Sequence, residues 1–207
     1  MTRYAEIFLA RHGETDHNAD ERFQGHLPVG LNELGRRQAA RLARAARGHG
    51  FRALWASPLA RARETADIVG AAIGLEPRID EGLTEADAGH WTGRLFSEVQ
   101  VEDPHGFIAL FSGDPDFAFP GGESLAEQAV RTRAALERIA ADRGKPALVV
   151  CHAIAIRIVL RHLGLVGTTS LAAVSVDNAD LIALDPGFDR DPDSSVQALG
   201  RPFPSRT

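Results

Sequence analysis

Apolar residues fall along this chain in two rhythms. Near-continuous apolar runs occur at residues 4–10 (YAEIFLA), 51–56 (FRALWA) and 147–151 (ALVVC). Runs of this length read as strands buried inside a sheet. Residues 76–80 add a shorter candidate, and 172–176 and 180–184 read as two strands around the turn Asp177-Asn178-Ala179. The second rhythm is helical. Residues 33–47 place leucines and alanines on one face behind Asn32, a helix cap, and Gly48 and Gly50 end the pattern. A second helix starts at Ser57-Pro58, with proline in its first turn, and stops at Gly74. A third opens at Glu123-Ser124 and runs to about Arg143, and a fourth covers 153–163, up to Gly164.

Two stretches break both rhythms. Residues 13–31 are polar and rich in turn formers, which predicts a long loop after the first strand. Residues 81–122 are punctuated by Gly and Pro and predict an excursion over the carboxyl edge of the sheet, with short helices near 94–102 and 104–112. Alternating strands and helices predict an α/β fold: a three-layer sandwich with a mostly parallel central sheet and helices on both faces. One domain over residues 1–185 is expected, with a cap excursion at about 94–120. The stretch from Pro186 is rich in Pro, Asp and Ser, so residues 186–207 are expected to form a partly disordered tail or a short edge strand near 195–199.

Composition adds limits. The 207 residues are 44% hydrophobic and 25% charged, ordinary values for a globular protein. A net charge of −5 argues against nucleic acid as a partner, so an anionic ligand needs a local cationic patch. Cys151 is the only cysteine, which excludes an intrachain disulfide. No run approaches the roughly 20 apolar residues of a membrane helix, and no export segment precedes the first strand. A cytoplasmic location without membrane association is the expectation.

The candidate chemistry sits at strand ends. His12 follows the run ending in Arg11, and His152 follows ALVVC. If both strands are parallel and central, both imidazoles reach one edge, where ligands bind in open α/β sheets. One histidine would attack a phosphorus in line, and the other would donate to an equatorial oxygen. Arg11 offers a fork of donors to the anion, and Gly13 is expected to let backbone approach the ligand. Either histidine, taken alone, also fits an inert residue at a strand end. Arg61 lies in the first turns of a helix, against the dipole, which suggests an anion there. Arg63, beside Glu64, reads as solvated. Glu85 is placed to protonate a leaving oxygen, with Asp87 as a competitor. A metal hydrolase built on Glu14, Asp16, His17 and Asp20 is a weaker alternative, because the spacing matches no known ligand set.

The segment Leu9-Ala10-Arg11-His12-Gly13-Glu14-Thr15 with Asn18 resembles the signature of the histidine phosphatase superfamily, the branch that contains the cofactor-dependent phosphoglycerate mutases. The likeness continues through Arg22, Gln24-Gly25, Ser57 to Ala66, Leu83-Thr84-Glu85, Gly121 to Ser124, and Cys151-His152 with Arg157. It implies a phosphoglycerate mutase-like fold. It also implies His12 as the nucleophile that becomes phosphohistidine, and Arg11, Arg61 and His152 on the phosphoryl oxygens. Asn18 assists them, Glu85 serves as general acid and then base, and Gln24, Gly25 and Thr15 lie on the substrate side. The resemblance implies no metal and no cofactor. The implied activity is hydrolysis of small-molecule phosphate esters, by a monomer or a homodimer. A mutase and a non-catalytic phospho-ligand binder remain as alternatives. Mutases carry a longer basic insertion; residues 94–119 hold Phe96, Phe107, Phe111, Phe117 and Phe119 but only Arg94 as a cation. Those phenylalanines are expected to pack the cap, or else to select an apolar leaving group. Where the family usually has Ser-His-Gly-Gly, this chain has Cys151-His152-Ala153-Ile154, which narrows the pocket.

Overall fold

The computed structural model describes residues 4–167 and 170–184. Five strands form one sheet: β1 (Ile7–Arg11), β2 (Ala53–Ala56), β3 (Pro77–Ile79), β4 (Ala147–Cys151) and β5 (Leu181–Ala183). Their order is β3-β2-β4-β1-β5. The first four run parallel, and β5 lies antiparallel to β1 at the edge. Among the described residues, seven α-helices accompany them: α1 (Asp16–Ala19), α2 (Glu33–Ala46), α3 (Ala60–Ile73), α4 (Phe96–Glu102), α5 (Pro104–Ser112), α6 (Leu125–Ala141) and α7 (Ala153–His162).

The period-2 alternation of strand side chains divides the core. Ile7, Leu9, Val149 and Cys151 face one way, into a layer closed by Leu136 and Ile139 of α6 and Ile156 and Leu160 of α7. Phe8, Ala10, Leu148 and Val150 face the other way, against Leu42 of α2 and Ala62, Ala66 and Val69 of α3. Both faces of the sheet are therefore covered, giving the three-layer α/β sandwich. Each fully buried Leu or Ile contributes on the order of 1.5–3 kcal/mol. A third apolar cluster stands outside these layers, over the carboxyl edge: Phe23, Trp91, Val99, Leu110, Phe117 and Phe119.

Several boundaries differ from the sequence expectation, each for a local reason. β1 begins at Ile7 because Tyr4–Glu6 form a turn and Glu6 has φ 70°. α3 begins at Ala60, not at Ser57-Pro58, because Leu59 is extended (ψ 136°) and acts as the cap residue. α6 begins after Ser124, which makes a reciprocal capping box with Glu127, so Glu123 lies outside the helix. The loop at 13–31 contains α1, capped by Thr15. Residues 172–176 form no strand. Val174 and Val176 are buried as their apolar character requires, but their carbonyls accept from Arg157 Nε (2.9 Å) and Arg11 Nη1 (2.8 Å). The tail and the strand expected near 195–199 lie outside the described residues. Among the described residues, no helix is long and apolar enough to cross a membrane.

Candidate active site

The floor of the site follows from strand register. β1 and β4 pair with Arg11 opposite Cys151, and His12 N–H donates to the Cys151 carbonyl at 3.1 Å. The next residues, His12 and His152, therefore stand side by side with ring centroids 5.1 Å apart. A carbonyl only accepts, so the 2.7 Å contact between His12 Nδ1 and Gly13 O puts the proton on Nδ1. The lone pair is left on Nε2, where it accepts from Arg61 Nε at 3.2 Å. Burial, then the charges of Arg61 and Arg11, hold the His12 imidazole well below its ordinary range. Burial, then Arg61, His12 and Arg11, do the same for His152. Both rings are neutral at physiological pH. His152 is fully buried; its Nε2 lies 2.8 Å from Ser57 Oγ, and its Nδ1 has no hydrogen-bond partner among the described residues.

Three arginines surround these rings. Arg61, second residue of α3, is buried and spans the loop after β1 by donating to Gly25 O (2.9 Å) and Leu27 O (3.2 Å). Burial pushes it down to about 10, so it stays charged. Arg157 is likewise lowered to about 10 by burial. Arg11 is lowered by burial too, and its Nε is buried without a partner among the described residues. A buried cation without a donor's partner costs free energy unless an anion arrives.

Glu85 faces this group across the cleft. Its Oε1 accepts from Gln128 Nε2 (3.1 Å) and its Oε2 from Ile154 N–H (3.2 Å). Arg131, one turn beyond Gln128 on α6, clamps the loop that carries Glu85. It donates to the carbonyls of Gly82 (3.1 Å), Thr84 (2.8 Å) and Glu85 (2.9 Å), and pairs with Glu123 at 2.6 and 2.7 Å. Neither Gln128 nor Arg131 belongs to a motif that marks it in the sequence. The available signal was polar residues at Gln128 and Thr132 on the inward face of an otherwise apolar helix.

Arg11, His12, Asn18, Gln24, Gly25, Arg61 and Glu85 line one cleft. Thr15 does not; it is fully buried, caps α1, and donates to Gln24 Oε1 at 3.0 Å. His152 is fully buried beside His12 and is not among the residues that line the cleft. Asp87 is turned away, accepting from Gly89 N–H at 3.0 Å, and Arg63 is exposed. Gly13 differs from expectation: a Cβ there would lie 2.4 Å from Gly35 O, so the close approach it allows is to α2 and not to a ligand. Arg22 and Arg157, quoted in the motif likeness without a role, also line the cleft. Arg94 does not; it pairs with Glu102 at 2.6 Å.

Neutral histidine, converging guanidinium groups and an opposed carboxylate define a site for phosphoryl chemistry. The chain belongs to the histidine phosphatase superfamily (branch 1), whose family model matches residues 7–191. It is 40% identical over 158 residues to the phosphoglycerate mutase-like protein 4 of Arabidopsis thaliana, covering 74% of this chain and 69% of that protein. It is 34% identical over 197 residues to the bifunctional protein Rv2228c of Mycobacterium tuberculosis; that match covers 94% of this chain and only 53%, about half, of the relative. Among solved structures, a mycobacterial glucosyl-3-phosphoglycerate phosphatase in complex with VO3 superposes with a TM-score of 0.75 at 29% identity, over 84% of this chain and 88% of that one.

Proposed function

We propose that this protein is a phosphatase that hydrolyses small-molecule phosphomonoesters through a phosphohistidine on His12. The observation that carries this reading is the His12 ring, neutral and presenting Nε2 to the guanidinium of Arg61 inside the cleft. In the first step the Nε2 lone pair attacks phosphorus, the P–O bond to the leaving group breaks, and Glu85 transfers its proton to that oxygen. In the second, the Glu85 carboxylate takes a proton from water as the water oxygen attacks phosphorus. The N–P bond breaks and inorganic phosphate leaves. Arg61 exchanges its contact with Nε2 for a phosphoryl oxygen, and Arg11 Nε supplies a further donor. Ser57 Oγ lies 2.8 Å from His152 Nε2; with the hydroxyl donating there, His152 Nδ1–H is left to donate to the phosphoryl group. Asn18, Gln24 and Gly25 border the substrate.

The test is phosphate release from p-nitrophenyl phosphate and a panel of metabolite phosphates, with chelator present. Release that survives chelation and is lost in His12→Ala supports the reading; residual turnover in pure His12→Ala removes the nucleophile. The name of the Arabidopsis relative favours a second reading, a mutase. Isomerisation of 3-phosphoglycerate with a bisphosphoglycerate primer, faster than hydrolysis, would establish it.

A further inference from the structure

The five phenylalanines of the cap divide into two groups. Phe117 and Phe119 are buried against Trp91 and Phe23 and hold the cap together. Phe96 and Phe111 instead line the cleft, with Phe23 and Ile154. Phe23 and Phe96 have ring centroids 4.4 Å apart, and Phe96 and Phe111 6.1 Å apart, so they form a continuous aromatic wall. Phe107 backs it, 4.6 Å from Phe111.

The position of Ile154 fixes which part of a substrate meets this wall. Its backbone N–H donates to Glu85 Oε2, the group that serves the leaving oxygen. Its side chain, packed on the cap cluster, therefore stands beside the leaving group and not beside the phosphoryl oxygens. Arg11 and Arg61 gather at His12. Among the arginines that line the cleft, Arg22 borders the cap, donating to Gly93 O at 2.9 Å and lying 3.6 Å from Asp20, while Arg157 donates to Val174 O at 2.9 Å. A leaving group with a second negative charge would have to draw one of these two from its partners, and would then lie on an apolar surface.

We infer that the cleft selects phosphomonoesters whose alcohol carries an apolar, ring-sized body, recognised by Ile154, Phe96 and Phe111. This rests on the phosphatase reading and names the substrate class of that same site. Burial of a ring against such a wall increases with its apolar area, and each added methylene in a hydrophobic pocket discriminates by about tenfold or more.

The experiment uses three esters that all release primary alkoxides: 2-phenylethyl phosphate, glycerol 3-phosphate and O-phosphoserine. Leaving-group chemistry is then matched and only the body differs. The unmodified protein should favour 2-phenylethyl phosphate in kcat/KM by about tenfold or more. Ile154→Ala and Phe111→Ala should each reduce that preference to about threefold or less, through KM, with inhibition by inorganic phosphate changed less than about twofold. Equal efficiency for the three esters, a preference for O-phosphoserine, or a preference that persists in both variants overturns the inference. Calorimetric binding of the same esters to His12→Ala separates the two readings. If no ester is hydrolysed, the phosphatase reading fails, and the order of binding still decides the substrate class.

Discussion

The floor and the roof of the cleft are made differently. The floor is set by backbone: two adjacent parallel strands in fixed register deliver His12 and His152, and hydrogen bonds to carbonyls aim Arg11, Arg61 and Arg157. The roof is filled by side-chain packing: Phe23, Trp91, Phe96, Phe111, Phe117 and Phe119 meet from three separated segments. Directional contacts make the floor intolerant of change, since each donor has one useful position. Dispersion and area make the roof adaptable, since apolar surfaces of similar volume can replace one another. A family can therefore retain its chemistry below while changing its substrate above.

Substitutions on the two sides should break the molecule in different ways. The largest effect is expected at His12→Ala. Turnover of p-nitrophenyl phosphate should fall by more than about 10⁴-fold, while thermal unfolding shows an intact fold. Next, Arg61→Lys keeps charge but loses the planar fork that bridges Nε2 and two carbonyls, and kcat should fall by about 10²-fold or more. Phe119→Ala, in the roof, should cost about 3–5 kcal/mol in denaturant unfolding, with much smaller losses in kcat at temperatures where the protein stays folded. A floor variant that unfolds the chain, or a roof variant that abolishes chemistry while folded, would overturn the division.

Acid should distinguish the two sides as well. His12 and His152 have folded pKa values below the ordinary 6.5. Below that value the unfolded chain binds protons that the folded floor refuses, so stability is fully present above about 6.5 and is lost as pH falls. Thermal unfolding across this range should show a lower melting temperature in acid, and His152→Asn should flatten the dependence. The smallest effect concerns Cys151, buried at the end of β4 with its thiol pushed up to about 12 by burial. It should resist iodoacetamide in the native protein and react only after unfolding.

Residues close in sequence to a strand end were the legible ones. His12 and His152 each follow an apolar run, so the parallel sheet and the shared edge could be read together. Capping was legible at Asn32 for the same local reason, and its side chain accepts from Gly35 N–H at 2.8 Å. What escaped depends on distant partners. Arg131 finds the Glu85 loop 46 residues away, and no local pattern marks that contact. Residues 172–176 have strand-like apolarity, but two arginines claim the carbonyls that a neighbouring strand would need. Gly13 looked like a ligand glycine because only its chain neighbours were in view; its true constraint is the backbone of α2.

The pairing of Arg11 with Cys151 also makes this molecule a reporter of its own assembly. A slip of one residue between β1 and β4 would turn the pleat over, sending one imidazole away from α2 and α3 toward α6 and α7 and parting it from its twin. Secondary structure measured by circular dichroism would barely register that error. Recovery of catalysis during refolding counts only chains whose two strands met in step, so the activity regained per mole of compact protein measures the fidelity of a single inter-strand alignment.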